Sequence, residues 1–165
     1  MTMPKIDIST APQGSGTRYP APFDAPCKGR SWRRLGDAAG LTQFGVNLVR
    51  LPPGVWSSQR HWHTQEDEFV YLVEGELILV TDEGEQTMRP GDCAGFKAAD
   101  PNGHCFQNRT SEDVTILVVG SRIDTDEGRY PDIDMVALPG RYQGRGGFRH
   151  KDGTPFSASG KLASG

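Results

Sequence analysis

Residues 60–75 read RHWHTQEDEFVYLVEG, and this stretch sets the reading of the whole chain. On an extended strand, positions i and i+2 project from one face about 6–7 Å apart. His61 and His63 therefore share a side, and Trp62 between them points outward, to pack under a tail or a partner. Two imidazoles leaning toward one point can share a metal ion at about 2.0–2.1 Å each. An HxH pattern alone equally fits a pair of exposed strand histidines. The segment EFVYLVE (68–74) follows, with Glu68, Val70 and Leu72 on one face and Phe69, Tyr71 and Val73 on the other. Both faces are apolar beyond the first position, so both are expected to be covered. One cover is the opposite wall of a barrel; the other is a tail, a neighbouring sheet or a second subunit. Glu68 lies five residues after His63, an odd offset that a straight strand would send to the wrong side. The polar insert 64–67 must turn or bulge the chain to bring Glu68 in. Glu66 shares its parity and competes as the carboxylate ligand, whereas Asp67 points the other way.

Outward from this stretch, turns recur at nearly even intervals: LPPG ending at Gly54, VEGE around Gly75, TDEGE around Gly84, RPGD around Gly91 and DPNG ending at Gly103. Short strands between closely spaced turns define a β-sandwich or barrel. Besides 68–74, the segments 44–51, 76–81, 104–109 and 113–120 are rich in β-branched and aromatic residues and read as strands. WRRLGDAAGL (32–41) has room for one short helical turn. YPDIDMVAL (130–138) fits either a further strand or an extended surface segment. By composition, 1–30 and 143–165 read as flexible arms.

The chain has 165 residues, 18 basic and 21 acidic, for a net charge of −3. That length suits one domain with its own core, taken here as 1–165, with a barrel at about 41–122, an N-terminal arm 1–40 and a C-terminal extension 123–165. No basic stripe favours nucleic acid. No apolar run is long enough for a membrane span or a signal peptide, so a cytoplasmic protein is expected. Cys27, Cys93 and Cys105 are odd in number and irregularly spaced, which argues for free thiols.

The only other histidines are His104 and His150. Gly54-VWSSQR-His61-Trp62-His63-TQED-Glu68-FVYLVE-Gly75 resembles the first motif of the cupin superfamily: a glycine, HxH, a glutamate, then six residues to another glycine. Gly95-FKAAD-Pro101-Asn102-Gly103-His104-CFQ-Asn108 resembles its second motif, and 19 residues (76–94) separate the two. Six residues lie between Gly54 and His61 where the family has five. Gly103 and His104 are adjacent where the family has two residues between, which implies a tighter loop. The resemblance spans about 41–122 and extends to a group of single-domain bacterial cupins, some labelled sugar-phosphate-isomerase-like. It implies an all-β double-stranded β-helix, or jelly roll, holding one divalent ion through His61, His63, Glu68 and His104. Three imidazoles and a carboxylate suit Fe, Mn, Ni, Co or Zn without choosing among them.

Within that frame Cys105 faces away from the ion, Asn108 shares the face of His104 as a supporting donor, and His150 is a surface residue. Arg50, Arg60, Lys97 and Arg109 could bind an anionic substrate, although solvated surface is their default. The function expected is that of a metal-binding cupin acting on a small polar or anionic molecule, in the manner of a sugar phosphate isomerase. An Fe(II)-dependent dioxygenase and a non-catalytic binding shell are the alternatives. Phe69, Tyr71 and Trp62, which need cover, point to a homodimer.

Overall fold

Alternating apolar side chains place one half of each strand in a shared interior, and the strands close around it. The computed structural model describes residues 4–157. In chain order its strands are β1 (Gln13–Ser15), β2 (Ser31–Arg34), β3 (Phe44–Leu51), β4 (Trp62–His63), β5 (Glu68–Glu74), β6 (Leu77–Thr81), β7 (Gly84–Met88), β8 (Cys93–Phe96), β9 (Cys105–Gln107), β10 (Val114–Ser121), β11 (Gly128–Arg129), β12 (Val136–Ala137) and β13 (Phe148–Arg149). One helical turn, α1 (Leu35–Ala38), falls inside the segment expected to hold it.

A six-stranded sheet runs β1-β2-β3-β10-β5-β8, a three-stranded sheet β7-β6-β9, and a small four-stranded sheet β13-β12-β11-β4. Between the first two lies the core. Leu51, Val70, Leu72, Val114 and Ile116 come from the large sheet; Leu77, Leu79, Met88 and Phe106 come from the small one. Phe106 is the largest of the fully enclosed side chains. The architecture is the all-β jelly roll expected.

One expectation is narrowed and two are corrected. The face of β5 bearing Phe69, Tyr71 and Val73 stays 43%, 40% and 46% exposed, so among the described residues neither a tail nor a sheet covers it. Its inward neighbours Val70 and Leu72 are fully buried. The N-terminal segment is no flexible arm: β1 pairs with β2, β2 pairs with β3, and Cys27 is wholly enclosed. Backbone hydrogen bonding, which composition does not report, holds it. At the other end β13 pairs with β12; the part of the C-terminal arm beyond 157 lies outside the described residues. The 130–138 segment does contribute a short strand, and Met135 and Tyr130 on it are buried.

Candidate metal centre

Backbone pairing between distant segments brings the histidines together. His61 N–H donates to the His104 carbonyl at 3.1 Å and His104 N–H to the His61 carbonyl at 2.9 Å, forming an isolated antiparallel bridge. The same alignment continues through Ser57 to Phe106 at 2.8 Å and Asn108 to Val55 at 3.0 Å. Gly103 makes the tightened loop before His104 possible: a Cβ there would stand 2.9 Å from Pro131 Cγ. The shortened loop therefore leaves the His104 ring aimed at the site, where it stacks on Phe96 at 3.5 Å.

Glu68 enters as the sequence required, by a turn of the chain. Asp126, whose carboxylate is fully enclosed, accepts from the backbone N–H groups of Gln65 at 2.8 Å and Glu66 at 3.2 Å. Thr64 N–H reaches the Glu127 carbonyl at 3.0 Å. Together these contacts bend residues 64–66 so that β5 begins with Glu68 on the inner face.

His61, Glu68 and His104 present ligand atoms that all lie within 4.8 Å of one another. Glu68 Oε2 is 3.0 Å from His104 Nε2, 3.7 Å from His63 Nε2 and 3.9 Å from His61 Nε2. The His61 and His63 rings meet edge to face at 4.9 Å between centroids. Glu66, the competing carboxylate, is elsewhere: its oxygens take the Ile123 N–H at 2.8 Å, the Tyr142 hydroxyl at 2.7 Å and the Arg141 guanidinium. His63, Glu66 and Asp126 also form a compact triad, but Arg141 already neutralises it from within.

The protonation pattern fits a cation. His61 Nδ1 lies 2.9 Å from the Gln59 carbonyl, which only accepts, so Nδ1 carries the proton and the Nε2 lone pair faces inward. Burial, with the His104 and His63 rings nearby, lowers the His61 pKa to about 3, so that imidazole stays neutral. His63 Nδ1 is 2.7 Å from Asp126, whose carboxyl is held below its usual range; burial opposes this, but His63 and the backbone N–H of Gln65 outweigh it. That leaves His63 Nε2 free as well. Burial pushes the Glu68 carboxyl up, but the His104 hydrogen bond and the surrounding imidazoles hold it at about 2. His104 Nδ1 is buried without a partner among the described residues. The inward lone pairs of His61 and His63 and the ionised Glu68 carboxylate, 3.9 and 3.7 Å away, repel one another unless a cation lies between them.

The remaining expectations divide. Cys105 is buried on the side away from the site, and Trp62 is half-buried opposite Arg129. His150 pairs with Asp134 away from the centre. Asn108 does not support a ligand: its side chain clamps a loop through the Leu51 and Glu112 carbonyls at 2.8 and 2.7 Å. Arg50 and Arg109 hold Asp113 and Glu85 at the surface. Arg60 is not a solvated cation; 15% exposed, it binds Asp132, Asp82 and the Gly103 carbonyl.

The centre opens into a cavity of about 940 Å³, whose lining includes Tyr19, Trp32, Asn47, Tyr130 and Phe148. Asp126, Tyr130 and Tyr19 escaped the sequence reading because they lie outside the barrel segment and carry no spacing that ties them to the histidines.

A jelly roll with a His–Glu cluster at one end of its cavity defines the class. The cupin-domain family model matches residues 47–120. A sugar phosphate isomerase from the cupin superfamily of Silicibacter pomeroyi DSS-3 is 51% identical, with 94% of this chain and 98% of that one covered at a TM-score of 0.88. A putative sugar phosphate isomerase from Acidithiobacillus ferrooxidans is 29% identical over 78% of this chain and 81% of that one, at a TM-score of 0.69. A polyketide cyclase from Streptomyces resistomycificus, 20% identical over 73% of this chain and 80% of that one at 0.59, shares the fold. No curated protein matches the chain. The chain belongs to the cupin superfamily. No described helix is long and apolar enough to cross a membrane.

Proposed function

We propose that the chain is a metal-dependent enzyme acting on a small polar or anionic molecule, as an isomerase of sugar phosphates. The convergence of His61, Glu68 and His104 at the cavity carries this reading, and the 51% identical sugar phosphate isomerase supports it. His61, His63, Glu68 and His104 would hold one divalent ion, which supplies Lewis-acid polarisation of a substrate oxygen. Asp126 and the Gln59 carbonyl keep His63 and His61 in the tautomer that binds. Burial raises the Tyr130 pKa well above its usual value, so its hydroxyl stays protonated and serves as the donor to the Tyr19 hydroxyl. It stands beside His61, with ring centroids 5.8 Å apart, and reaches the Tyr19 hydroxyl at 3.4 Å.

The test is metal analysis of protein purified without chelators, followed by assays of aldose phosphate turnover and oxygen uptake. Stoichiometric metal with isomerisation is the expected result. Oxygen uptake with iron would replace this reading with an Fe(II)-dependent dioxygenase, and bound metal with neither activity would make the barrel a binding shell.

A further inference from the structure

Beyond the metal ligands, the cavity is lined by arginines and by the carboxylates of Asp37, Glu66, Asp67 and Asp124. Five arginines line the cavity: Arg18, Arg30, Arg34, Arg122 and Arg141. Two are neutralised, Arg122 by Asp37 and Arg141 by Glu66 and Asp126. Among the described residues, no carboxylate pairs with Arg18, Arg30 or Arg34, which lie on β2 and in the segment leading to it and line the same cavity.

Arg30 is fixed in place but not discharged. Its guanidinium donates to the carbonyls of Gly16 at 2.9 Å and Ser57, and lies over the rings of Tyr19 and Trp32 at 5.9 and 5.5 Å. These acceptors are neutral, so the positive charge still faces the cavity. Arg34 belongs to the inner face of the large sheet: it pairs with Asn47, Asn47 with Val118, and Val118 with Val70. Glu68 lies two residues from Val70 on the same face of β5. Three strand-to-strand steps of about 4.8 Å separate β2 from β5, so roughly 14 Å of sheet lies between the two residues. In the row of Glu68, β10 and β3 contribute Gly120 and Gly45, and the Arg122 guanidinium, paired with Asp37, lies over Gly45.

We propose that Arg18, Arg30 and Arg34 form an oxyanion subsite that takes the phosphate monoester end of a substrate whose other end reaches the metal centre. The proposal deepens the sugar phosphate reading and rests on it for the second end of the ligand. Planar guanidinium forks match the oxygens of phosphate two at a time. A phosphate monoester carries about −1.5 to −2 charges at neutral pH, against −1 for a carboxylate, and so answers three uncompensated cations better.

The experiment is calorimetric titration of inorganic phosphate into the full chain at about 0.15 M salt, where long-range attraction is damped. Arg34→Gln is expected to weaken phosphate binding about tenfold, the factor that corresponds to losing one charge-assisted hydrogen bond. Arg18→Ala, at an exposed residue outside every strand, provides a second variant should Arg34→Gln not fold, and should weaken binding by severalfold. Arg33→Ala is the control: Arg33 lies on the same strand but on the opposite face, bonded to the Ile8 and Ser9 carbonyls at 3.1 and 2.9 Å, and should bind phosphate as the wild type does. His61→Ala should also retain phosphate binding, which separates this subsite from the metal. Affinity within twofold of wild type in both Arg34→Gln and Arg18→Ala, or an equal loss in Arg33→Ala, overturns the proposal. Arginine-dependent phosphate binding without aldose phosphate turnover keeps the subsite and removes the isomerase. Turnover with unchanged KM in the Arg18→Ala, Arg34→Gln double variant does the reverse.

Discussion

Replacing Asp126 by asparagine leaves the shape of a buried side chain intact and inverts the polarity of one end. Oδ1 of Asp126 accepts from the backbone of Gln65 and Glu66, and an asparagine oxygen can keep both bonds. Oδ2 accepts from His63 Nδ1 at 2.7 Å and from Arg141 at 3.1 Å. An amide nitrogen there would set donor against donor. The imidazole escapes by moving its proton to Nε2, which removes the lone pair that faces Glu68. Charge-assisted hydrogen bonds contribute about 1.5–3 kcal/mol, and loss of a partner that orients a ligating histidine lowers metal affinity about 10–100-fold. The two agree, since tenfold corresponds to about 1.4 kcal/mol. Metal affinity should therefore fall by about 10–100-fold in Asp126→Asn, measured by competition for Zn(II) or Mn(II) against a chromophoric chelator. A thermal melt must show a cooperative transition, so that the loss is assigned to the centre and not to unfolding. An affinity within twofold of wild type in a folded variant would refute the tautomer argument.

His61→Ala and Glu68→Gln should each abolish stoichiometric metal binding in a folded barrel, whereas Glu66→Gln should retain it; elemental analysis of the three proteins decides between the two carboxylates. In chelator, stability to urea should fall with acid. His61 titrates at about 3 in the folded state and near 6.5 when unfolded, and Glu68 at about 2 against 4.5, so the unfolded chain binds more protons throughout this range. The loss between pH 6.5 and 4.5 is on the order of 2–3 kcal/mol and comes from His61; His61→Ala should flatten that segment of the profile, and an unchanged slope would contradict it. Phe69, Tyr71 and Val73, exposed on one sheet face, should pair two copies of the chain in solution. Light scattering should give twice the 18.0 kDa chain mass, and Tyr71→Arg should halve it. A wild-type monomer well above micromolar concentration removes that expectation.

The sequence by itself determined the strand pattern and the local parity. Alternation at 70 and 72 selected the core side of β5, and HxH selected two rings on one face, because both depend only on the two-residue period of extended backbone. It also required that residues 64–67 bend. It did not say what bends them. Asp126, 59 to 63 positions downstream of the insert and of His63, does so from a loop with no periodic pattern of its own. The choice between Glu66 and Glu68 had the same character: their parity is identical, and only Arg141 and Tyr142, folding back from beyond the barrel, claim the first and leave the second. The N-terminal segment looked flexible because composition records side chains, while β1 and β2 are held by backbone hydrogen bonds that any sequence without proline at those positions can make. Local periodicity is written in neighbouring residues; long-range partners are fixed only when the closed barrel brings distant segments into contact.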